Sequence, residues 1–167
     1  RSSGARHTVG SRRIGKLFYV QICSIDAATG GYFRDAIDHV EARENVEGYV
    51  LDLRGNSGGL LLQAVAIADD FLSDGKIADT KGRHPDSAQH FAANPGDVTV
   101  NKPIVVLIDG GTAAGAEMIA AALQANGRAV LVGSPSYGRG SIQTLLPLPD
   151  QGEIVLTWAR LTTPDGY

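Results

Sequence analysis

Three glycine-rich turns hold the residues best placed to do chemistry: "GNSGG" at 55–59, "DGGTAAGAE" at 109–117 and "GSPSYGRGS" at 133–141. Gly58 and Gly59 stand just before a helix expected to begin near Leu60. Backbone N–H groups there lack intrahelical partners, and a missing side chain lets a ligand come close. Such donors can hold a phosphate, a carboxylate or the oxyanion of an acyl transfer, where one donor is worth roughly 3–4 kcal/mol in the transition state. A tight turn that merely needs glycine explains the same residues. The turn is no nucleotide loop, because neither GxxxxGK[ST] nor a strand followed by GxGxxG is present.

The second turn leaves an apolar run at 104–108 and enters strong helix-forming residues from Ala113 onward. Enzymes often set a nucleophile on such a strand-to-helix elbow, yet this one carries Ala and Gly. Thr112 supplies a hydroxyl, with no base assigned to it. His84 and His90, with Asp86 between them, fit no common zinc spacing and read as solvated loop residues, as does His39 on a surface helix. Neither a metal nor a cofactor is expected.

The elements that must position these turns follow from periodicity. Apolar or β-branched runs predict strands at 14–25, 48–54, 76–82, 103–109, 129–133, 142–148 and 153–161. Helices are expected after Thr29, read as a cap, with Phe33, Ile37 and Val40 at helical spacing, then over 60–72 and from the elbow to about Asn126. Residues 83–101 lack periodicity and read as a long loop. Strand and helix alternate, which predicts an α/β domain with parallel strands and helices on its faces. Ligands in such sheets sit beyond the carboxyl ends of strands, where all three turns lie.

Composition bounds the function. The 167 residues are 43% apolar and 20% charged, so they form one globular domain. A net charge of -3 gives no reason to expect nucleic acid or an anionic membrane. Residues 1–13 are basic (Arg1, Arg6, Arg12, Arg13) and read as a flexible segment ahead of a core at 14–167. A single cysteine, Cys23, excludes an internal disulfide and reads as core. No apolar run reaches the ~18 residues of a membrane span, and no signal peptide is visible.

Four stretches together resemble the carboxyl-terminal processing (tail-specific) peptidases. They are "GYVLDLRGNSGGLLLQAVAIADDFL", "TKGRHPDSAQHFAANPGD", "KPIVVLIDGGTAAGAEMIAAALQANGRAVLVG" and "YGRGSIQTLLPLPDQGEIVLTWARLTTPDG". The likeness runs from about Lys16 to Gly166. It implies a fold related to the Clp-type protease and crotonase group, and a Ser-Lys dyad working in a bacterial periplasm, envelope or similar compartment. It also implies substrates that are protein C-termini with loose, apolar ends. Members commonly carry a peptide-binding PDZ module before this region, for which the present sequence has no room.

The dyad positions are identified through this resemblance. The family elbow reads approximately G-S-A-S-A-S-E, and anchoring on Glu117 puts its nucleophile at Ala114. The family's general base is the Lys of F-G-K-G-S-x-Q, here "YGRGSIQ", so the base position is Arg139, and Gln143 matches the residue that orients the base. The separation, 139 − 114 = 25, matches the family without gaps. Alanine has no oxygen to attack a carbonyl. Guanidinium stays protonated, whereas a buried Lys can be tuned towards neutrality. By the same resemblance, the oxyanion donors are the backbone N–H groups of Gly58 and Gly115. Ser136, Tyr137 and Ser141 flank Arg139 and shape its surroundings; Glu117 supports the elbow helix, and Asp52 with Arg54 scaffolds a strand end.

The resemblance therefore implies a pseudopeptidase core that has lost hydrolysis and keeps peptide binding or an assembly role, with a homo-oligomer or an envelope protein as partner. The alternative is an active tail-specific serine endopeptidase captured as an inactivated variant. A weaker one is acyl-thioester chemistry of the crotonase kind.

Overall fold

The computed structural model describes residues 8–83, 88–138, 141–147 and 153–162, with side chains described as far as Gly138. The chain opens with a hairpin of β1 (Val9–Ile14) and β2 (Leu17–Ile22), then runs α1 (Thr29–Arg43), β3 (Gly48–Asp52), α2 (Leu61–Asp70) and β4 (Lys76–Lys81). There follow β5 (Gln89–Ala92), β6 (Ile104–Ile108), α3 (Gly115–Ala125), β7 (Val130–Gly133), β8 (Ser141–Pro147) and β9 (Glu153–Thr162). One five-stranded sheet has the order β1-β2-β3-β6-β7, and a four-stranded sheet has the order β5-β4-β9-β8. β2, β3, β6 and β7 run parallel, with Val20 opposite Leu51, Leu51 opposite Val106 and Val106 opposite Leu131. The α/β fold expected from the alternation is present, with β1 and the second sheet antiparallel.

The register explains which face is buried. Side chains alternate across a strand, so Phe18, Val20, Ile22, Tyr49, Leu51, Ile104 and Val106 share one face and form a single cluster with all three helices. α1 contributes Phe33, Ile37 and Val40 at helical spacing, α2 Ala64 and Ile67, and α3 Met118, Ile119 and Leu123. Leu17, Tyr19, Val50, Val105, Val130 and Val132 share the opposite face and are half-buried or exposed, Val130 at 64%. Parallel sheets usually bury both faces. Among the described residues nothing covers this second face as the helices cover the first.

Parallel direction also sets the site. β3, β6 and β7 all end at the same sheet edge, so the turns that follow them come together there.

Four expectations are corrected. Residues 9–13 are part of an edge strand rather than a flexible segment, because Gly15 (φ +59°) and Lys16 close a two-residue hairpin that splits the expected strand at 14–25. An exposed edge strand needs no apolar alternation, so "VGSRRI" gave no signal; Arg12 lies over the Tyr19 ring at 5.2 Å. Cys23, just beyond β2, is exposed. Thr29 is buried inside the first turn rather than capping it, and its Oγ1 accepts the Asp26 N–H at 2.8 Å. The stretch at 83–101 contains β5, paired antiparallel with β4. His84 and Asp86 lie outside the described residues; His90 is exposed and sits 2.7 Å from Asp79. No metal-ligand cluster occurs among the described residues.

Candidate active site

Ala114 is the apex of the elbow between β6 and α3, at φ 50° and ψ -119°. That conformation is sparsely populated by residues with a Cβ and costs roughly 1–3 kcal/mol, so it persists only where its surroundings over-determine it. The surroundings here do so. The Asp109 carboxylate accepts the N–H groups of Gly55 and Gly111, each at 2.9 Å. Thr112 is fully buried; its hydroxyl donates to the Leu53 carbonyl at 2.8 Å and accepts the Asp109 N–H at 3.1 Å. It is a strut of the turn, with both hydroxyl functions committed to backbone. Ala113 N–H donates to the Asn56 carbonyl at 2.9 Å, and Met118 N–H to the Ala114 carbonyl at 3.0 Å.

The first turn presses directly on this apex. A Cβ on Gly58 (φ +96°) would lie 2.9 Å from the Gly115 nitrogen and 3.0 Å from the Ala114 Cβ, so only glycine fits. Gly59 is fixed by a different contact: Ile25 N–H donates to the Gly58 carbonyl at 3.1 Å, and Leu60 N–H to the Ile25 carbonyl at 2.9 Å. A Cβ at Gly59 would stand 1.8 Å from the Ile25 oxygen.

The donor assignment changes in consequence. The Gly58 N–H is not open to a ligand, because it donates to Asn56 Oδ1 at 2.8 Å. The Gly58 carbonyl faces Ile25, and no peptide bond is cis, so the Gly59 N–H points to the opposite side. Neither the Gly59 nor the Gly115 N–H makes a hydrogen bond among the described residues. The Gly59 N–H, on an exposed residue, and the Gly115 N–H, on a buried residue that opens α3, are thus two backbone donors near the apex with no bond among the described residues. A glycine pair signals this turn in a sequence, but which of the two amides is free depends on peptide orientation.

Asn56 was hidden from sequence reasoning for a similar reason. It is fully buried, and its Nδ2 donates to the Ile22 carbonyl at 2.8 Å while Oδ1 takes the Gly58 N–H. Asn between glycines reads as a solvated turn residue.

The third turn is tied to the elbow at two points. Tyr137 N–H donates to the Thr112 carbonyl at 2.9 Å, and Gly138 N–H to Glu117 Oε1 at 2.8 Å. Glu117 therefore anchors the residue immediately before position 139. Arg139 lies outside the described residues. Gln143 is in β8, where only the backbone is described, as is Ser141. Ser136 is half-buried and Tyr137 is exposed.

Below the site, buried Asp52 takes the Arg54 guanidinium at 2.9 Å and the Tyr19 hydroxyl. Burial alone would raise its carboxyl, but the hydrogen bonds from Arg54 and Tyr19 outweigh that and hold it below the ordinary value. Asp109 is lowered chiefly by the Gly55 N–H. Both carboxylates are therefore charged scaffolding at neutral pH.

Known proteins are similar to this chain in sequence and fold. The chain is 41% identical over 155 residues to a carboxy-terminal-processing protease of Bartonella bacilliformis, covering 91% of this chain and 36% of that protein. It is 36% identical to the carboxy-terminal processing protease CtpA of Bacillus subtilis, covering 88% of this chain and 31% of the relative. The chain thus spans about a third of the length of these curated relatives. A solved photosystem II D1 C-terminal processing protease superposes with a TM-score of 0.78 at 30% identity, over 90% of this chain and 38% of that one. Residues 16–167 match peptidase family S41, and the chain belongs to that family.

Proposed function

We propose that this chain is a carboxyl-terminal processing peptidase core that has lost hydrolysis and retains the capacity to hold a peptide C-terminus with an apolar end. The observation that carries the reading is Ala114: the elbow is built, strained and braced, and its apex bears no hydroxyl. The Gly59 and Gly115 N–H groups suit a peptide carbonyl or terminal carboxylate and need no side-chain chemistry. Arg139 at the base position works against proton abstraction, since guanidinium does not give up its proton near neutral pH. The family resemblance in the sequence is the ground for an envelope compartment, and within this reading the partner is another copy or an envelope protein.

The test is incubation with an unstructured peptide bearing an apolar C-terminus, reading cleavage and binding in one preparation. Binding without turnover is expected, and turnover abolished by Thr112→Val would overturn the reading. Ala114→Ser combined with Arg139→Lys should restore cleavage if the rest of the site is preorganised. The integrity of the elbow keeps one rival alive, an active serine endopeptidase with its nucleophile replaced. A serine codon at position 114 in the encoding gene would decide for it.

A further inference from the structure

One residue joins three separate segments at this site, two through its side chain and one through its backbone carbonyl. Asn56 Nδ2 holds the end of β2 at the Ile22 carbonyl, Oδ1 holds the Gly58 N–H, and its own carbonyl receives the Ala113 N–H next to the apex. Both side-chain functions are used within a fully buried position, and Asn56 N–H itself donates to the Leu53 carbonyl at 3.1 Å. Few residue types could replace it. The amide side chain supplies a donor and an acceptor at one end, whereas Asp lacks the donor and Ser cannot place both groups so far from the backbone.

The consequence concerns the free donors. Asn56 holds the peptide before Gly58 through its N–H, and the Ile25 N–H holds the peptide after it through its carbonyl, so the two together set the Gly58 torsions that turn the Gly59 N–H away from Ile25. The bond from Ala113 N–H to the Asn56 backbone carbonyl ties the elbow, two residues before Gly115, to the same residue. We infer that Asn56 is the positioning residue of this site, setting the separation and direction of the Gly59 and Gly115 N–H groups for one acceptor oxygen. The inference rests on the proposed peptide-binding role only for its ligand, since the geometry it asserts exists in the ligand-free chain.

The experiment uses the whole chain labelled with 15N-glycine, with Asn56→Ala, Asn56→Asp and Arg128→Ala as variants and an apolar-ended unstructured peptide as probe. Arg128 pairs with Asp97 and binds the Phe71 carbonyl, holding the far end of α3, so its loss destabilises without touching the site. In the wild type the Gly58 N–H is expected to exchange slowly with solvent, and the Gly59 N–H, on an exposed residue, quickly. In Asn56→Ala the Gly58 protection should fall at least tenfold, the Gly59 and Gly115 resonances should move, and peptide affinity should drop at least tenfold. Asn56→Asp keeps the acceptor and should retain Gly58 protection and part of the affinity, which also serves if the Ala variant does not fold. Arg128→Ala should lower the melting temperature while leaving the Gly59 and Gly115 resonances and the affinity in place. Unmoved Gly59 and Gly115 resonances in a folded Asn56→Ala protein would overturn the inference, as would equal shifts in Arg128→Ala. A wild type that binds no peptide defeats the proposed function alone, because the ligand-free resonances still decide the role of Asn56.

Discussion

The two turns that lead into α2 and α3 solve the same problem in opposite ways. Both leave a parallel strand, both start a helix, and neither helix has a side-chain cap. Before α2, glycine stands wherever a positive φ or a close approach demands it, and the residue ahead of the helix, Leu60, is relaxed at φ -69° and ψ 121°. Before α3, glycines lie at 110, 111 and 115, yet the positive-φ residue between them is Ala114. The first turn is shaped by its contacts and could be nothing else. The second holds a side chain in a costly conformation, as an elbow built to aim a side chain does.

The sharpest way to break this contrast is Gly59→Ala. Its Cβ would collide with the Ile25 oxygen, so a loss of roughly 4 kcal/mol or outright failure to fold is expected in a denaturant titration. Thr112→Val should come next, at about 1–3 kcal/mol, because it strands the Asp109 N–H and takes from the buried Leu53 carbonyl one of its two donors, the other being the Asn56 N–H. A neutral result there would show that the elbow does not depend on its strut. Ala114→Gly should run the other way. Relief of strain outweighs the glycine entropy, giving a gain of up to about 1 kcal/mol measurable as a raised melting temperature. A fall would mean that the apex is unstrained and the contrast between the turns is false.

The smallest effect separates the far ends of the two helices. Asp70, in the last turn of α2, is raised to about 6 by burial, against the opposing Arg34 guanidinium at 3.0 Å. A carboxyl raised in the folded state binds its proton more tightly there than in the unfolded chain. Its contribution to stability is complete below the unfolded value near 3.8 and is lost as pH rises through about 6. The wild type should therefore gain stability on acidification from pH 7 to 5 relative to Asp70→Asn, with both melting curves recorded at each pH. The far end of α3 is held instead by Asn126, which does not titrate, and by Arg128 on Asp97. Parallel curves for the two proteins would remove Asp70 as the source.

Much of this was legible in the sequence for identifiable reasons. β3 and β6 stand in the middle of a parallel sheet and read as continuous apolar runs. α1 was signalled by Phe33, Ile37 and Val40, and the elbow by glycine and alanine following such a run. What escaped detection was specified by other parts of the chain. β1 is an outer strand satisfied by ladder hydrogen bonds to β2, and so carries no pattern of its own. Cys23 lies one residue past the end of β2, where alternation stops deciding burial. Asn56 is interior because β2, the glycine turn and the elbow converge on it, and no local rule foresees that convergence. The amide without a bond among the described residues is that of Gly59 rather than Gly58, a matter of peptide orientation that residue type does not encode.

The half-bare side of the five-stranded sheet bears on how any stability measured for these residues is to be used. Apolar surface removed from water contributes roughly 25 cal/mol per Å². Any molecule that seats on Val50, Val105, Val130 and Val132 in the folded state alone adds its binding free energy to that of folding. A melting temperature of the 167 residues is for that reason the baseline against which any such binding is read as a thermal shift.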